Sequence, residues 1–359
     1  MEQQPKNNSS RGRGTAENPP NRFERLAYLP ILESPDDEDG VVKTQYLKDA
    51  SRSLITFNDS PDVGFEASIN PYRGCEHGCI YCYARPYHEY LGFSAGLDFE
   101  TKILVKEDAP ELLRAELASR KWQPKVVAIS GVTDAYQPIE RKLQLTRRCL
   151  EVLAEFRNPV IIVTKNQLVT RDIDVLKELA SFNAAAVCVS VTTLDAELAR
   201  VMEPRTSTPA NRLEAIQALA EAGVPVRVLV APTIPGLTDH EMPSIIQAAA
   251  KAGASNAGYV VVRLPHGVAA LFENWLEEHF PDRKKKVLNR IRDMRGGKLN
   301  DPNFGSRMRG EGVFAEQIKS MFKLACRKAG IEGSGPELTT AAFRRPSGPQ
   351  LSLFGTQGD

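Results

Sequence analysis

The chain has 359 residues, of which 42% are hydrophobic and 25% are charged, so it can bury one large core or two modest ones. Lysine and arginine number 46 against 45 aspartate and glutamate residues, for a formal net charge of +1. Overall charge therefore neither favours nor excludes nucleic acid, and any basic surface must be local. No run of about 18 apolar residues is present, so we expect no membrane-spanning helix.

The first residues, MEQQPKNNSSRGRG, lack the apolar segment of a signal peptide. We therefore expect a cytoplasmic protein in a reducing compartment. Its six cysteines, three of them bunched together, favour metal or redox use over a disulfide framework.

Composition divides the chain into four segments. Residues 1–44 are polar and rich in Asn, Ser, Gly and Pro, which predicts a mostly disordered segment. A core follows at 45–265, then a helical, basic extension at 266–332. Residues 333–359 are again rich in Gly, Pro and Ser, which predicts a flexible tail.

Short apolar runs alternate with helical patterns through the core. The predicted strands are EASIN (66–70), KILVK (102–106), KVVAIS (125–130), PVIIVT (159–164), AAAVCVSV (184–191), VPVRVLVA (224–231) and AGYVVVRL (257–264). These runs show little alternation, as expected of parallel strands covered on both faces. The pattern predicts an α/β fold of about six βα units, either a partial barrel or a doubly wound sheet. In both folds the ligand site lies at the carboxyl ends of the strands.

Three cysteines, Cys75, Cys79 and Cys82, lie within eight residues in NPYRGCEHGCIYCYAR (70–85). A structural zinc site needs four ligands, usually as two pairs, and no second pair occurs downstream. A redox C-x-x-C would leave Cys75 unused, and the Gly-, Arg- and His-rich surroundings do not suit three core thiols. A 4Fe–4S cluster normally takes four thiolates, so three would leave one iron open to another ligand.

The spacing Cys-x3-Cys-x2-Cys, with Tyr81 directly before the last cysteine, resembles the radical SAM family. The segments SGVTDAYQPIERKLQLTR (130–147) and APTIPGLTDHE (231–241) resemble its spore photoproduct lyase-related branch. The resemblance implies a partial (β/α)6 barrel of the TIM type, with a helical C-terminal extension. It also implies that S-adenosylmethionine (SAM) completes the cluster beside Tyr81 and is split reductively to a 5′-deoxyadenosyl radical. An external electron donor, such as flavodoxin or ferredoxin, would supply the electron.

The turn after KVVAIS stands where the family holds the SAM amino group. Gly131, Thr133 and Asp134 are the candidates, although the turn has one glycine fewer than the family motif and its acid is displaced by one position. Asp134 is the natural partner of an ammonium group, and Thr133 is the alternative. An ordinary βα turn would explain the same residues.

The strand AAAVCVSVTT ends in Ser190 and Thr192, whose hydroxyl groups suit ribose contacts or simple strand capping. Arg205, in MEPRT, is placed to pair with the SAM carboxylate, because the planar guanidinium matches that anion. A salt bridge to Glu203 is the competing explanation.

Two features point toward DNA. The segment at 282–298 contains eight Lys or Arg residues against two Asp residues, as in surfaces that contact phosphates, although a solvated helix would look the same. The tail carries QLSLF, in which Gln350, Leu351, Leu353 and Phe354 resemble the peptide that docks on the bacterial sliding clamp.

Three hypotheses follow. The first is a radical SAM enzyme that acts on nucleic acid in a DNA repair-like reaction. The second is a radical SAM maturase or modifying enzyme for protein or RNA. The third is a zinc-stabilised DNA-binding scaffold without catalysis.

Overall fold

A computed structural model describes residues 12–23, 42–331, 333, 335 and 337–346. The strands are β1 (Gln45–Lys48), β2 (Thr56–Phe57), β3 (Ala67–Ile69), β4 (Tyr72–Arg73), β5 (Lys102–Val105), β6 (Val127–Ile129), β7 (Val160–Thr164), β8 (Ala185–Ser190), β9 (Val226–Thr233) and β10 (Asn256–Val261). Each run that predicted a strand forms one.

The helices alternate with these strands through the core and then follow one another. They are α1 (Leu97–Thr101), α2 (Ala109–Ala118), α3 (Glu140–Leu143), α4 (Leu145–Phe156), α5 (Ile173–Ala180), α6 (Ala196–Met202), α7 (Pro209–Glu221), α8 (Met242–Lys251), α9 (Val268–His279), α10 (Pro281–Asp293), α11 (Ser306–Arg309) and α12 (Gly312–Ala329). Short 3-10 helices occur at Arg85–Leu91, Gln167–Asp172 and Asp239–Glu241.

The main sheet has seven strands in the order β10-β9-β8-β7-β6-β3-β2. Six of them, β3 and β6 to β10, run parallel, and β2 pairs antiparallel at one edge. A doubly wound sheet reverses its strand order part-way, whereas here each parallel strand adds beside the previous one. The predicted partial (β/α)6 barrel is confirmed.

The two faces of the main sheet differ in character. In β8, Val187 and Val189 pack in the main core with the surrounding helices, while Cys188 and Ser190 alternate with them and lie on the opposite, inner face. The inner face also carries Arg227, which is the register partner of Cys188 on β9. Like Ile161 on β7, Arg227 is only half-buried, so this face remains partly accessible.

The segment between β3 and β6 is an insertion that carries the cysteines. It contains β4 and β5, which join β1 in a separate sheet of order β1-β5-β4. The run KILVK is therefore a strand, as predicted, but it lies outside the barrel. Strand β4 ends two residues before Cys75, whose amide donates to the Phe99 carbonyl of α1 at 2.9 Å.

The C-terminal helices serve two different surfaces. Ile318 and Cys326 of α12 belong to the main core, and Phe322 packs on Tyr259 of β10 with ring centroids 4.7 Å apart. By contrast, α9 and α10 form a second core with the cysteine loop, in which Phe272 and Ile80 are buried. The predicted domain boundaries remain predictions, but these packing contacts tie the extension firmly to the barrel.

Residues 12–23 pack against the cysteine loop instead of extending freely, which differs from the expectation for this stretch. The Arg13 guanidinium donates to the Glu100 and Val42 carbonyls at 2.9 and 2.8 Å. The Leu97 amide donates to the Glu17 carbonyl at 2.9 Å. Polar contacts hold the segment, so an argument from low hydrophobicity could not detect it.

Helices long and apolar enough to cross a membrane are absent from the part of the chain that the structure describes.

Candidate active site

The cysteine loop follows β3, at the carboxyl end of the first strand of the barrel. Cys75 and Cys79 are buried and Cys82 is half-buried. The Gly78 amide donates to the Cys75 carbonyl at 3.4 Å, and the Cys82 amide donates to the Cys79 carbonyl at 3.2 Å. These two tight turns fold the run into one compact loop. Besides burial, the neighbouring thiols contribute to the raised pKa of Cys79 and Cys82.

A buried ion pair supports the backbone of this loop. Arg85 and Glu100 are both fully buried and lie 2.5 Å apart. The Arg85 guanidinium also donates to the Cys79 carbonyl at 3.0 Å and to the Gly78 carbonyl at 3.3 Å. One side chain therefore fixes the backbone on both sides of the middle cysteine.

The N-terminal segment closes over the same loop. The Gly14 amide donates to the second carboxylate oxygen of Glu100 at 2.9 Å. A side chain is impossible at Gly14, because an added Cβ would lie 1.8 Å from the Gly78 carbonyl oxygen. The fit of residues 12–14 on the loop thus depends on a close backbone approach that only glycine allows.

Glu76 anchors the first turn of the loop. It is buried, and its carboxylate accepts hydrogen bonds from Thr44 and Tyr46 at 3.1 Å and from the Ile139 amide at 3.1 Å. Arg205 pairs with the same carboxylate at 3.3 Å. Three separate parts of the chain therefore meet at the residue that follows Cys75.

The residues around the loop fit an iron–sulfur cluster. Burial raises the pKa of the Cys79 and Cys82 thiols, while the positive charge of Lys165 opposes that rise. In the described residues no three His, Cys, Asp or Glu side chains converge on one metal ion. A cubane does not require such convergence, because each of its thiolates binds a different iron atom.

The turn after β6 is strained, and its polar groups already have protein partners. Ser130 and Gly131 both have φ near 130°, a region that side chains rarely adopt. The Thr133 hydroxyl donates to the Gly74 carbonyl at 3.0 Å, so it holds the residue before Cys75. Gly131 accepts a hydrogen bond from the Tyr83 hydroxyl through its carbonyl oxygen.

Asp134 is the centre of a buried polar network. Its carboxylate accepts from the Thr164 hydroxyl at 2.7 Å and from the Lys165 amide at 2.8 Å, and it pairs with His77 at 3.4 Å. Burial alone would raise the pKa of Asp134, but His77 and these hydrogen bonds lower it to about 2. Burial opposes charge on His77 as well, yet Asp134 raises the pKa of that imidazole to about 10. Asp134 thus positions His77, between the first two cysteines, and its role toward SAM stays a prediction.

At the end of β8, one hydroxyl has no partner. Thr192 is fully buried, and its Oγ1 makes no hydrogen bond within the described residues. Its neighbour Thr193 donates to Glu241 at 2.7 Å. An unpaired buried hydroxyl is costly, so Thr192 is suited to a bound ligand. Ser190 is also buried, and its carbonyl accepts from Arg212 at 3.1 Å.

Tyr81 and Arg205 have partners that the sequence did not indicate. The Tyr81 hydroxyl donates to Glu203, and Glu203 forms a fully buried ion pair with Arg212. The competing explanation for Arg205, a bridge to Glu203, is therefore wrong, since Arg205 pairs with Glu76. Arg205 is one-third exposed and can still receive a carboxylate.

The residues that support the loop could not be recognised from the sequence. Arg85, Glu100 and Glu203 are fully buried charges, and burial cannot be read from a single charged letter. Lys165 could have been found, because it directly follows β7 at a strand carboxyl end, which is where ligand contacts are expected.

The cysteine loop lies at the carboxyl edge of a partial barrel, near the unpaired buried hydroxyl of Thr192. This arrangement is typical of an enzyme that binds a metal cluster and a small polar ligand. The model of the radical SAM superfamily matches residues 69–249, about half of the chain. The chain belongs to the radical SAM superfamily and is a radical SAM enzyme, a class that uses a 4Fe–4S cluster, SAM and an electron donor.

Curated relatives cover most of the chain. Uncharacterized proteins of Mycobacterium tuberculosis and Mycobacterium bovis are 36% identical over 290 residues, which is 80% of this chain and 83% of theirs. An uncharacterized protein of Methanocaldococcus jannaschii is 31% identical over 184 residues, 51% of this chain and 66% of that protein.

Solved structures of spore photoproduct lyase share the fold. A cysteine-to-serine mutant matches with a TM-score of 0.55 at 18% identity, over 79% of each chain. A second mutant, with bound AdoMet and dinucleoside spore photoproduct, also gives 0.55, at 17% identity over 79% of this chain and 78% of that one. At this identity the similarity shows the fold and not the reaction.

Proposed function

We propose that Cys75, Cys79 and Cys82 hold a 4Fe–4S cluster with one open iron, and that the enzyme cleaves SAM reductively to act on nucleic acid. The observation that carries the first part is the buried loop with three cysteines at the strand ends, fixed by Arg85 and Glu100. When bound, the cluster supplies the single electron that splits the sulfonium of SAM. This chemistry suits the reducing, cytoplasmic compartment expected from the sequence.

The residues of this chain orient and shield SAM. In our proposal the Thr192 hydroxyl donates to the SAM ribose, with Ser190 beside it, and Arg205 pairs with the SAM carboxylate. The SAM amino group would lie at the turn after β6, where Gly131, Thr133 and Asp134 are the candidates. Each already has a protein partner, and the oxygen atoms of all three can accept a further hydrogen bond. Tyr81 supports the loop from its buried position and shields the cluster.

The test is anaerobic reconstitution of the full chain with iron and sulfide. We expect about four irons per chain, and we expect alanine at Cys75, Cys79 or Cys82 to lower that number and to abolish SAM cleavage. Cys149→Ala is the matched control, because Cys149 is buried in the main core and should leave the iron content unchanged. A colourless, zinc-containing protein would contradict the proposal and support the scaffold hypothesis instead.

The choice of nucleic acid rests on the shared fold and on the basic segment. The chain shares its fold with spore photoproduct lyase, which has been solved complexed with dinucleoside spore photoproduct. In the segment 282–298, half of the eight cations bind within the protein: Lys284, Arg290 and Arg292 form ion pairs, and Arg295 is buried against carbonyl groups. The other four cations form no ion pair within the described residues. We therefore propose that this surface makes a small contribution to phosphate binding.

The reaction test follows deuterium from labelled substrates into 5′-deoxyadenosine. Transfer from lesion-bearing DNA would support the DNA repair-like reaction. Transfer only from RNA or a protein would instead support the modifying-enzyme hypothesis.

Docking on the sliding clamp is a separate part of the proposal. Gln350, Leu351, Leu353 and Phe354 lie outside the described residues, so the motif stays a prediction from sequence. Deletion of 350–354 should abolish clamp binding in a pull-down assay, while deletion of 355–359 should not. Equal binding by both variants would remove this argument for DNA.

A further inference from the structure

A cleft of about 290 Å³ lies beside the cysteine loop. Its walls come from four separate parts of the chain: the N-terminal segment, the 3-10 helix after Cys82, the loop after β10 and the loop before α11. Parts of the chain far apart in sequence have therefore been brought together around an open space.

Aromatic rings line this cleft and face solvent. Tyr83, Tyr87 and Tyr90 are 42%, 54% and 67% exposed. The Tyr87 and Tyr90 rings are 6.4 Å apart, and Phe23 stacks on Tyr90 at 4.7 Å. Large exposed apolar patches usually mark a binding surface, and separated rings of this kind offer flat faces for stacking.

Cations lie over the rings. The Arg263 guanidinium is 4.7 Å from the centre of the Tyr83 ring, and Arg307 is 4.4 Å from that of Phe304. Arg307 has an acidic partner, since it pairs with Asp62 at 2.5 Å. Arg263 forms no ion pair or hydrogen bond within the described residues. Burial, together with the charge of Arg307, lowers the pKa of Arg263, and a bound anion would stabilise its charge.

The cleft opens next to the expected radical source. Tyr83 directly follows Cys82, and its hydroxyl donates to the Gly131 carbonyl at the end of β6. Arg263 follows the last barrel strand, β10. A molecule held on these rings therefore lies beside both the cysteine loop and the turn after β6.

We propose that this cleft binds a single-stranded segment of nucleic acid, with bases stacked on Tyr87 and Tyr90 and a phosphate on Arg263. Rings that stack on bases, alternating with arginines that pair with phosphates, are the means by which proteins bind unpaired strands. A base inside a duplex is already stacked on its neighbours and must leave the helix to reach such rings. The inference rests on the proposed function and specifies the form of the substrate.

Aromatic residues and arginine are also enriched at protein interfaces. Two observations favour nucleic acid here: the surface is concave, and Arg263 forms no ion pair within the described residues. Arg307 is already paired with Asp62, and Asp301 also lines the cleft, so Arg263 is the cation that a phosphate would contact. Binding of a protein partner without binding of oligonucleotides would overturn the proposal.

The experiment measures fluorescence anisotropy of labelled oligonucleotides with the anaerobic, cluster-loaded enzyme. One sequence of about 12 nucleotides is used as single-stranded DNA, as single-stranded RNA and as duplex DNA. We expect both single strands to bind more tightly than the duplex, and the two single-stranded probes then identify the sugar that is preferred. Equal or tighter binding of the duplex would overturn the proposal.

Variants locate the binding. Tyr87→Ala with Tyr90→Ala should weaken single-strand binding at least tenfold, since each stacked base contributes about 1–3 kcal/mol, a factor of roughly 5 to 150. Phe57→Ala is the matched control, because Phe57 is 66% exposed beneath Lys125 but lies on the edge strand β2 against Trp122. It should change binding less than twofold. Equal effects of the two changes would refute the assignment.

Arg263→Gln should lower the slope of log affinity against log salt by about 0.7, the value for one phosphate contact of a single strand. An unchanged slope would exclude Arg263 as the phosphate contact. SAM cleavage by the unaltered enzyme is measured in the same preparation. SAM cleavage without oligonucleotide binding would leave the radical SAM proposal intact and overturn the proposal that the cleft binds nucleic acid. Failure of one proposal can therefore be distinguished from failure of the other.

Discussion

The ion pair between Arg85 and Glu100 gives the sharpest test of how the loop is built. Glu100→Gln keeps the size of the side chain and an acceptor for the Gly14 amide, but it removes the negative charge. The Arg85 guanidinium then remains fully buried with only carbonyl groups around it. Removing one partner of a buried pair costs about 3–5 kcal/mol, because the other charge is left uncompensated.

Arg85 also donates to the Ala95 and Gly96 carbonyls at 3.3 and 3.0 Å, besides those of Gly78 and Cys79. These dipoles offset part of the loss, so we expect the lower end of the range, about 3 kcal/mol. Arg85 is expected to shift, and the Cys79 carbonyl with it. Cluster loading should therefore fall together with stability.

The assay is urea unfolding of the metal-free chain, together with iron content after reconstitution. For a slope of about 3 kcal/mol per molar urea, the midpoint should fall by about 1 M. The control is Glu197→Gln, which breaks the surface ion pair with Arg200. The Arg200 and Glu197 side chains are 68% and 78% exposed. Surface pairs contribute about 0–1 kcal/mol. Equal midpoints and equal iron contents for the two variants would refute the bracing role of the buried pair.

Two further predictions use neighbouring residues as controls. Thr192→Val should weaken SAM binding about fivefold in anaerobic calorimetry, without loss of stability. The control Thr193→Val loses a paired hydroxyl, so it should lower the free energy of unfolding by about 1–2 kcal/mol and leave SAM binding unchanged. The opposite pattern would show that Thr192 does not contact SAM. Gly14→Ala should displace the N-terminal segment from Gly78 and speed the bleaching of the cluster in air. Gly64→Ala, where an added Cβ meets nothing within 4 Å, should not, and equal bleaching rates would show that the segment does not shield the cluster.

The sequence predicted those parts of the fold that depend on local pattern. Unbroken apolar runs identified the parallel strands. Whether the strands add in one continuous order, as in a barrel, or reverse that order part-way depends on pairing between distant segments, which periodicity does not contain. The sequence could not show that KILVK belongs to a second sheet, because this also depends on pairing with a distant strand, β1.

The three cysteines stand out in the sequence because their spacing lies within one loop, and their binding of a cluster stays a prediction. The protein partners of Thr133 and Asp134 are not local, since the Thr133 hydroxyl bonds to Gly74 and the Asp134 carboxylate to His77, each more than 50 positions earlier. Both residues support the cysteine loop from the strand edge where a ligand contact is expected, and their contact with SAM stays a prediction.

Because protein groups support the cysteine loop, we expect the chain to fold without its cofactor. Zinc fingers are unfolded without their metal, because the metal–ligand bonds supply the folding free energy. Here, protein groups alone hold the loop: Arg85 on the Cys79 carbonyl, Thr133 on the Gly74 carbonyl and Glu76 on the Ile139 amide. The barrel core is likewise formed by the main sheet and its helices, without Cys75, Cys79 or Cys82. The metal-free chain should therefore give the same far-ultraviolet circular dichroism as the loaded enzyme, and a large loss of helix signal on removal of iron would show that the cluster, not the ion pair, organises the loop.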